Sequence, residues 1–204
     1  SAIEGVADGG AISSWLDVSG NGRHMNNVHD GPVLRTSEAT LNNRPVVDFK
    51  DESDRMWTSY NFRDGAEVGK WRAEGYTAIG ISRYSGNVNS NQSERVISSN
   101  GGNWIFGHHG RITNRFHFDG WIDDGDNVRD TNWRLYIAKH QGKDTAADPA
   151  CIIYDTGEER ADNQPATGSN NDWFMPQRLE FGANNNNAEN SVCQIAEYMM
   201  YYGE

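Results

Sequence analysis

Short runs of β-branched and aromatic residues recur along the chain, and clusters rich in Gly, Asn, Asp and Ser separate them. Within runs such as 76–83 and 133–139 the residues alternate between two faces, as in a β-strand, and helical periodicity is nearly absent. This pattern predicts strands and confines helix to short turns. The predicted strands are residues 44–49, 56–59, 76–83, 95–98, 104–107, 115–118, 133–139, 150–155, 178–181 and 192–202.

Ten short strands predict an all-β fold in which two antiparallel sheets pack as a β-sandwich of the jelly-roll kind. The length of 204 residues suits one large domain, and no internal repeat or Pro-rich linker divides the chain. Because the sequence starts in a turn-rich stretch and stops after a hydrophobic strand, we expect residues 1–204 to be excised from a larger multidomain protein. Long polar connections, among them 123–132 and 184–190, are expected at the rims of the sandwich, where binding is common.

The formal net charge of -11 argues against nucleic acid as a partner, because phosphate backbones are bound by positive surfaces. Calcium or a neutral ligand fits this charge better. No apolar run is long enough to cross a bilayer, so we expect no membrane insertion. Cys151 and Cys193 lie in separate predicted strands, and both a disulfide and two separate buried thiols remain open.

Residues 15–24, WLDVSGNGRH, have the composition of a tight turn. Asp17 and Ser19 can accept hydrogen bonds from backbone donors, while Gly20 and Gly22 permit positive φ angles. The segment resembles the W-x-D-x-S-G-N-G opening of bacterial laminin-G-like domains in the concanavalin-A-like superfamily. Residues 42–54, 104–121 and 193–202 resemble later segments of the same family, in the same order.

This resemblance implies a concanavalin-A-like jelly roll located outside the cell or on the cell surface, next to other domains of the same polypeptide. It does not settle the function, because the architecture hosts lectins, glycan-binding modules, peptide binders, enzymes and spacers. Glucanases of the superfamily carry carboxylates in a pattern like E-x-D-x-x-E on one strand, since a retaining mechanism needs two carboxyls about 5 Å apart. This chain lacks that pattern, and Glu197 corresponds to a structural glutamate of the family. We therefore predict that the protein is not an enzyme.

Four closely spaced aspartates, Asp123, Asp124, Asp126 and Asp130, form the densest group of oxygen ligands in the sequence. Calcium takes six to eight oxygens, and one flexible loop can supply several of them. A calcium site and a solvated acidic turn are the two interpretations. The run 184–190 is a second candidate, because amides such as those of Asn185 and Asn186 could bind calcium or the hydroxyls of a ligand. A mobile polar loop is the equal alternative interpretation of this run.

Sugars bind where an aromatic plane stacks on the apolar face of the ring and polar groups take the hydroxyls. Trp121 directly precedes the acidic run, and Trp71 and Trp173 lie in polar, loop-like surroundings. These three are the predicted platforms. The other tryptophans considered, in strand contexts typical of a core, are Trp15, Trp104 and Trp133.

We therefore expect a non-catalytic, lectin-like module that binds a glycan or polysaccharide, with calcium as a candidate cofactor. The first alternative is calcium-dependent capture of a peptide or cell-surface protein, as in large acidic bacterial adhesins. The second alternative is a passive spacer.

Overall fold

The computed structural model describes residues 3–64, 74–118, 120–124, 127–140, 151–163, 175–184 and 189–202. Within these ranges the chain forms fourteen strands and a short 3-10 helix at Ala39–Leu41. The strands are β1 Met25–His29, β2 Val33–Glu38, β3 Arg44–Phe49, β4 Arg55–Thr58, β5 Tyr76–Tyr84, β6 Ile97–Asn100, β7 Trp104–His109, β8 Ile112–Phe118, β9 Trp121–Asp124, β10 Arg134–His140, β11 Cys151–Asp155, β12 Glu158–Asn163, β13 Arg178–Phe181 and β14 Cys193–Tyr202.

The strands form two seven-stranded sheets that pack face to face. Sheet I has the order β12-β11-β10-β5-β14-β3-β2, and sheet II has the order β1-β4-β13-β6-β7-β8-β9. The strand pairs within both sheets are antiparallel. The predicted fold, an antiparallel β-sandwich of jelly-roll character, is therefore confirmed. No helix within the described ranges is both long and apolar enough to span a bilayer.

Aromatic side chains fill the space between the sheets. Along β5, Tyr76 and Tyr84 are fully buried at the two ends of an alternating pattern whose other face is partly exposed. Sheet II contributes Trp104, which stacks on Phe118 at 5.2 Å and donates a hydrogen bond from Nε1 to the Tyr76 hydroxyl at 3.0 Å. The core thus combines apolar burial with a satisfied polar contact between the two sheets.

Two glycines allow the sheets to approach this closely. A Cβ on Gly80 would lie 2.8 Å from the Phe106 ring. Gly107 has φ of 87° at a bulge in β7, and a Cβ there would overlap the ring of Tyr136. Both positions therefore require glycine for packing, and Gly107 requires it for backbone conformation as well.

The turn that contains Asp17 has the structure expected from its sequence. The Asp17 carboxylate accepts hydrogen bonds from the backbone N–H of Ser19 at 2.8 Å and of Arg23 at 2.9 Å. Gly20 and Gly22 have φ of 85° and 70°. Since its carboxylate is engaged by the turn itself, Asp17 has a structural role here.

All ten predicted strands are present, with bounds that shift by up to three residues. Four further strands were not predicted: β1, β2, β9 and β12. Each of them lies at an edge of its sheet. The expectation that residues 123–132 form a loop is accordingly wrong at its start, because Asp123 and Asp124 end β9.

The two cysteines are free, buried thiols, which answers the question that the sequence left open. Cys151 lies opposite His140, which lies opposite Tyr76, whereas Cys193 lies opposite Tyr84. Tyr76 and Tyr84 are eight residues apart on β5, or about 27 Å at 3.4 Å per residue. A disulfide between these positions is geometrically impossible, since the Cα atoms must lie within about 7 Å.

Candidate functional site

The exposed tryptophan at the start of β9 is the predicted platform that the structure describes. Trp121 is 43% exposed, on an edge strand of sheet II. The other predicted ligand-binding residues, Trp71, Trp173, Asn185 and Asn186, lie outside the described residues, as does Asp126. The site is therefore built outward from Trp121.

Side chains from the two neighbouring strands surround the indole ring. His117 on β8 lies directly opposite Trp121, with ring centroids 5.1 Å apart and planes at 90°. The guanidinium of Arg115, two residues earlier on β8, lies 5.4 Å from the centre of the indole ring. His109 on β7 approaches within 5.8 Å. These contacts hold the indole by its edge and one side while nearly half of it stays accessible.

His109 also connects Trp121 to the second predicted site, the Asn-rich run 184–190. His109 Nε2 lies 3.3 Å from Glu189 Oε1, and Asn184 donates a hydrogen bond from Nδ2 to Glu189 Oε2 at 2.7 Å. Arg95 places its Nε 2.6 Å from the same Oε2. Residues that are eighty positions apart in sequence thus meet beside one exposed indole. We call this group the Trp121 surface: Trp121, His109, Arg115, His117, Asn184 and Glu189.

Glu189 is held in its ionised form. The hydrogen bond from His109 is the largest cause, and with the hydrogen bond from Asn184 and the charge of Arg95 it outweighs partial burial and lowers the pKa of Glu189 to about 2. An ionised carboxylate is a strong acceptor for hydroxyl groups. At neutral pH the Trp121 surface therefore combines an exposed indole with an ion-paired carboxylate and an amide that are linked to it through His109.

A second set of hydrogen bonds fixes His117 against the indole. His117 Nδ1 donates to the backbone carbonyl of Asn103 at 2.7 Å, because a carbonyl oxygen can only accept. The side chain of Asn103 is itself held by Arg95, which donates from Nη2 to its Oδ1 at 2.8 Å. Arg95 therefore supports both Glu189 and the His117 ring, although its own side chain is almost fully buried.

The predicted calcium ligands are distributed differently from the expectation. Asp123 and Asp124 are consecutive strand residues opposite Phe116 and Arg115. The Asp130 carboxylate accepts from Arg134 Nη2 at 2.8 Å and from the backbone N–H of Asn132 at 3.0 Å. Within the described part of the chain, no three His, Cys, Asp or Glu side chains are grouped to hold a metal ion. Calcium binding stays a prediction, and Asp130 is already ion-paired with Arg134.

The adjacent histidines of β7 have separate environments. His108 is fully buried between Tyr84 and Tyr136, with ring centroids 4.8 and 5.3 Å away. Burial, with a smaller contribution from the charge of Arg134, lowers the pKa of His108 to about 3. His109 instead faces the Trp121 surface. The bulge between Gly107 and His108 separates the two roles.

The three tryptophans expected in the core have three different environments. Trp104 is fully buried, and Trp15 is partly buried with an edge contact to Phe181 at 5.6 Å. Trp133 contradicts the expectation, because it is only half-buried, on the outer face of sheet I. Its Nε1 donates to Thr40 Oγ1 at 3.0 Å, and the guanidinium of Arg83 lies 4.7 Å from its ring centre.

The outer face of sheet I also holds a shallow groove that the sequence did not indicate. It has a volume of about 370 Å³. Ile79 and Ile137 form its floor, Tyr154 and Tyr201 flank it, and Lys139 supplies the charge among its lining residues. The two sheets therefore present chemically different outer faces, one polar around an indole and one largely apolar.

Comparison with known proteins adds no relative: no family model matches this chain, and no curated protein is detectably similar to it.

Proposed function

We propose that this chain is a non-catalytic carbohydrate-binding module in which Trp121 stacks on the apolar face of a sugar ring. The observation that carries the proposal is an indole exposed on a sheet edge among polar groups that other residues hold in place. Glu189 and Asn184 are the acceptors and donors for the sugar hydroxyls, and His109 orients Glu189.

The physical argument is one of preorganisation. A ligand that orders flexible side chains loses about 0.5–1.5 kcal/mol for each of them, whereas Glu189 and His117 are ordered in advance by hydrogen bonds. Stacking on an aromatic ring supplies apolar burial, and charge-assisted hydrogen bonds supply direction. The Trp121 surface combines both kinds of group, linked through His109.

The same contacts argue against Glu189 as the general acid of a glycosidase. Glycosidases keep one carboxylic acid protonated near neutral pH by raising its pKa. The pKa of Glu189 is shifted in the opposite direction, because His109, Asn184 and Arg95 stabilise its charge. The proposed location, outside the cell or on its surface, rests on the resemblance to laminin-G-like domains.

A glycan array followed by titration calorimetry tests the proposal. Trp121→Ala is expected to weaken binding of the selected glycan at least about tenfold, since losing a stacked aromatic costs roughly 1.5–3 kcal/mol. Trp133→Ala is the matched control, because it removes an indole from the other sheet. Equal binding by wild-type and Trp121→Ala would show that Trp121 is not the platform.

The same screen separates the alternatives. A parallel peptide array, run with calcium and with chelator, distinguishes glycan binding from calcium-dependent capture of a peptide or cell-surface protein. Binding of peptides alone, lost on chelation, would favour the adhesin-like function. A chain that bound neither set would favour the spacer.

A further inference from the structure

The outer face of sheet I is apolar across four adjacent strands, β11, β10, β5 and β14. Leu135, Met199 and Tyr201 are 36%, 42% and 46% exposed, and Ile79 and Ile137 lie between them. In an antiparallel sandwich the outer face is normally polar. Contiguous exposed apolar surface is a feature of protein–protein interfaces, membrane contacts and ligand-binding grooves. We call this area the sheet I patch: Ile79, Leu135, Ile137, Tyr154, Met199 and Tyr201.

Two opposite charges flank the centre of the patch symmetrically. Lys139 on β10 lies opposite Thr77, and Glu197 on β14 lies opposite Ile81. Thr77, Ile79 and Ile81 all lie on β5, the strand between β10 and β14, and Ile79 is midway between the other two. Lys139 and Glu197 therefore lie on the two strands that flank β5. Along the strand direction each is displaced from Ile79 by two residues, in opposite senses. With strand spacings near 4.8 Å and 3.4 Å per residue, they are about 17 Å apart.

We infer that the sheet I patch binds the same patch of a second copy of this chain. The two-fold axis lies in the plane of the interface, passes over Ile79 and runs perpendicular to the line from Lys139 to Glu197. It places Lys139 of each copy against Glu197 of the other. A two-fold interface must be self-complementary, and an apolar centre with opposite charges at symmetric positions meets that requirement.

The size of the patch sets the expected strength. Four strands by five residues cover on the order of 300 Å² in projection. A standard stable interface buries about 800 Å² on each partner. The dimer should therefore be weak and depend on protein concentration. Aromatic side chains and Met in the patch are typical of the centre of an interface.

Charge reversal tests the arrangement by sedimentation equilibrium. Lys139→Glu and Glu197→Lys each place like charges at both contacts, and each variant alone should dimerise at least about tenfold more weakly than wild-type. An equimolar mixture of the two variants restores opposite charges at both contacts and should associate like wild-type. Glu52→Lys is the matched control, because it makes the same charge change on an exposed residue of the turn between β3 and β4, away from the sheet I patch.

Met199→Asp provides a test independent of the charge pair, since it places an uncompensated carboxylate in the apolar centre and should abolish association. Equal melting temperatures of the variants verify folding. A wild-type chain that is monomeric at roughly 1 mM would overturn the inference. A dimer that tolerates Lys139→Glu, or single variants that fail to recover on mixing, would overturn it too. Loss of glycan binding with Met199→Asp, in a chain that is always monomeric, would assign the patch to ligand instead.

Discussion

Mild acid should destabilise the fold through two buried histidines. Burial and the charge of Arg134 lower the pKa of His108 to about 3, and burial lowers the pKa of His140 to about 4. In the unfolded chain both return to about 6.5. Below pH 6.5 both histidines therefore bind protons in the unfolded state. In the folded state His140 binds a proton only below about pH 4, and His108 only below about pH 3. The contribution of the two neutral histidines to the free energy of unfolding is fully present above pH 6.5 and falls as the pH is lowered below that value.

The magnitude follows from linkage. One pKa unit is worth about 1.36 kcal/mol, so lowering the pH from 7 to 5 costs about 2 kcal/mol for each histidine and about 4 kcal/mol for both. This is a large share of the 5–15 kcal/mol typical of a domain. The range from pH 7 to 5 also lies above the ordinary pKa values of carboxylates, so the histidines dominate the change in stability there. Urea unfolding at pH 7, 6 and 5 measures the change in the free energy of unfolding.

His108→Phe isolates one of the two contributions. The variant keeps an aromatic ring between Tyr84 and Tyr136 but cannot take up a proton, so about half of the pH dependence should disappear. Val96→Ala is the control, because it removes a buried apolar group and should lower stability equally at pH 7 and pH 5. A free energy of unfolding that is flat from pH 7 to 5 would refute the argument, as would an unchanged slope in His108→Phe.

Three further predictions follow from the packing and the candidate chemistry. Gly107→Ala should lower the free energy of unfolding in urea by about 3 kcal/mol, because the new Cβ overlaps the Tyr136 ring and the backbone φ is positive. Gly157→Ala, with φ of 92° and open space around its Cβ position, should lower it by only about 1 kcal/mol, and equal costs would contradict the packing argument. If calcium binds, calorimetry at about a hundred times the dissociation constant should show roughly 2.7 kcal/mol of stabilisation, and Asp124→Asn with Asp126→Asn should reduce it; identical melting curves in calcium and chelator would leave a solvated acidic turn. The purified chain should release no reducing ends from polysaccharides, and release that a single substitution abolishes would establish an enzyme.

The interior strands could be predicted from sequence because burial imposes an apolar period of two on them. The four edge strands could not, for a physical reason. An edge strand pairs on one side only and commonly carries charged residues that discourage further pairing. β12, with the sequence EERADN, and β9, with WIDD, have such compositions. In the sequence these stretches resemble the solvated loops beside them.

The sequence also did not show which face of a predicted strand points into the core. Residues 133–139 alternate clearly, but apolar residues occupy both faces, so the pattern does not reveal which face is the core. In the structure Tyr136 and Ala138 are buried, which puts Trp133, Leu135 and Ile137 on the outer face. That phase explains the wrong expectation for Trp133. It also creates the sheet I patch, which the sequence could not have indicated.

The candidate site shows the same division between local and distant information. Trp121 was predicted as a ligand-binding platform from its immediate neighbours in sequence. The alternation of side chains along 115–118 could have suggested that Arg115 and His117 lie on one face beside it. The contact between His109 and Glu189 joins residues eighty positions apart, and only the three-dimensional fold brings them together. A single sequence contains no local signal for such a pair.

The two free thiols provide a way to observe how this sandwich opens. Burial raises the pKa of both thiols, so neither Cys151 nor Cys193 should react with an alkylating reagent while its surroundings stay closed. Cys151 reports on the end of sheet I near Tyr76, and Cys193 reports on the opposite end near Tyr84. Labelling rates at the two positions would agree if the sheet opens as one unit. They would differ if one end separates first, so the native sequence already carries a probe of local unfolding at each end.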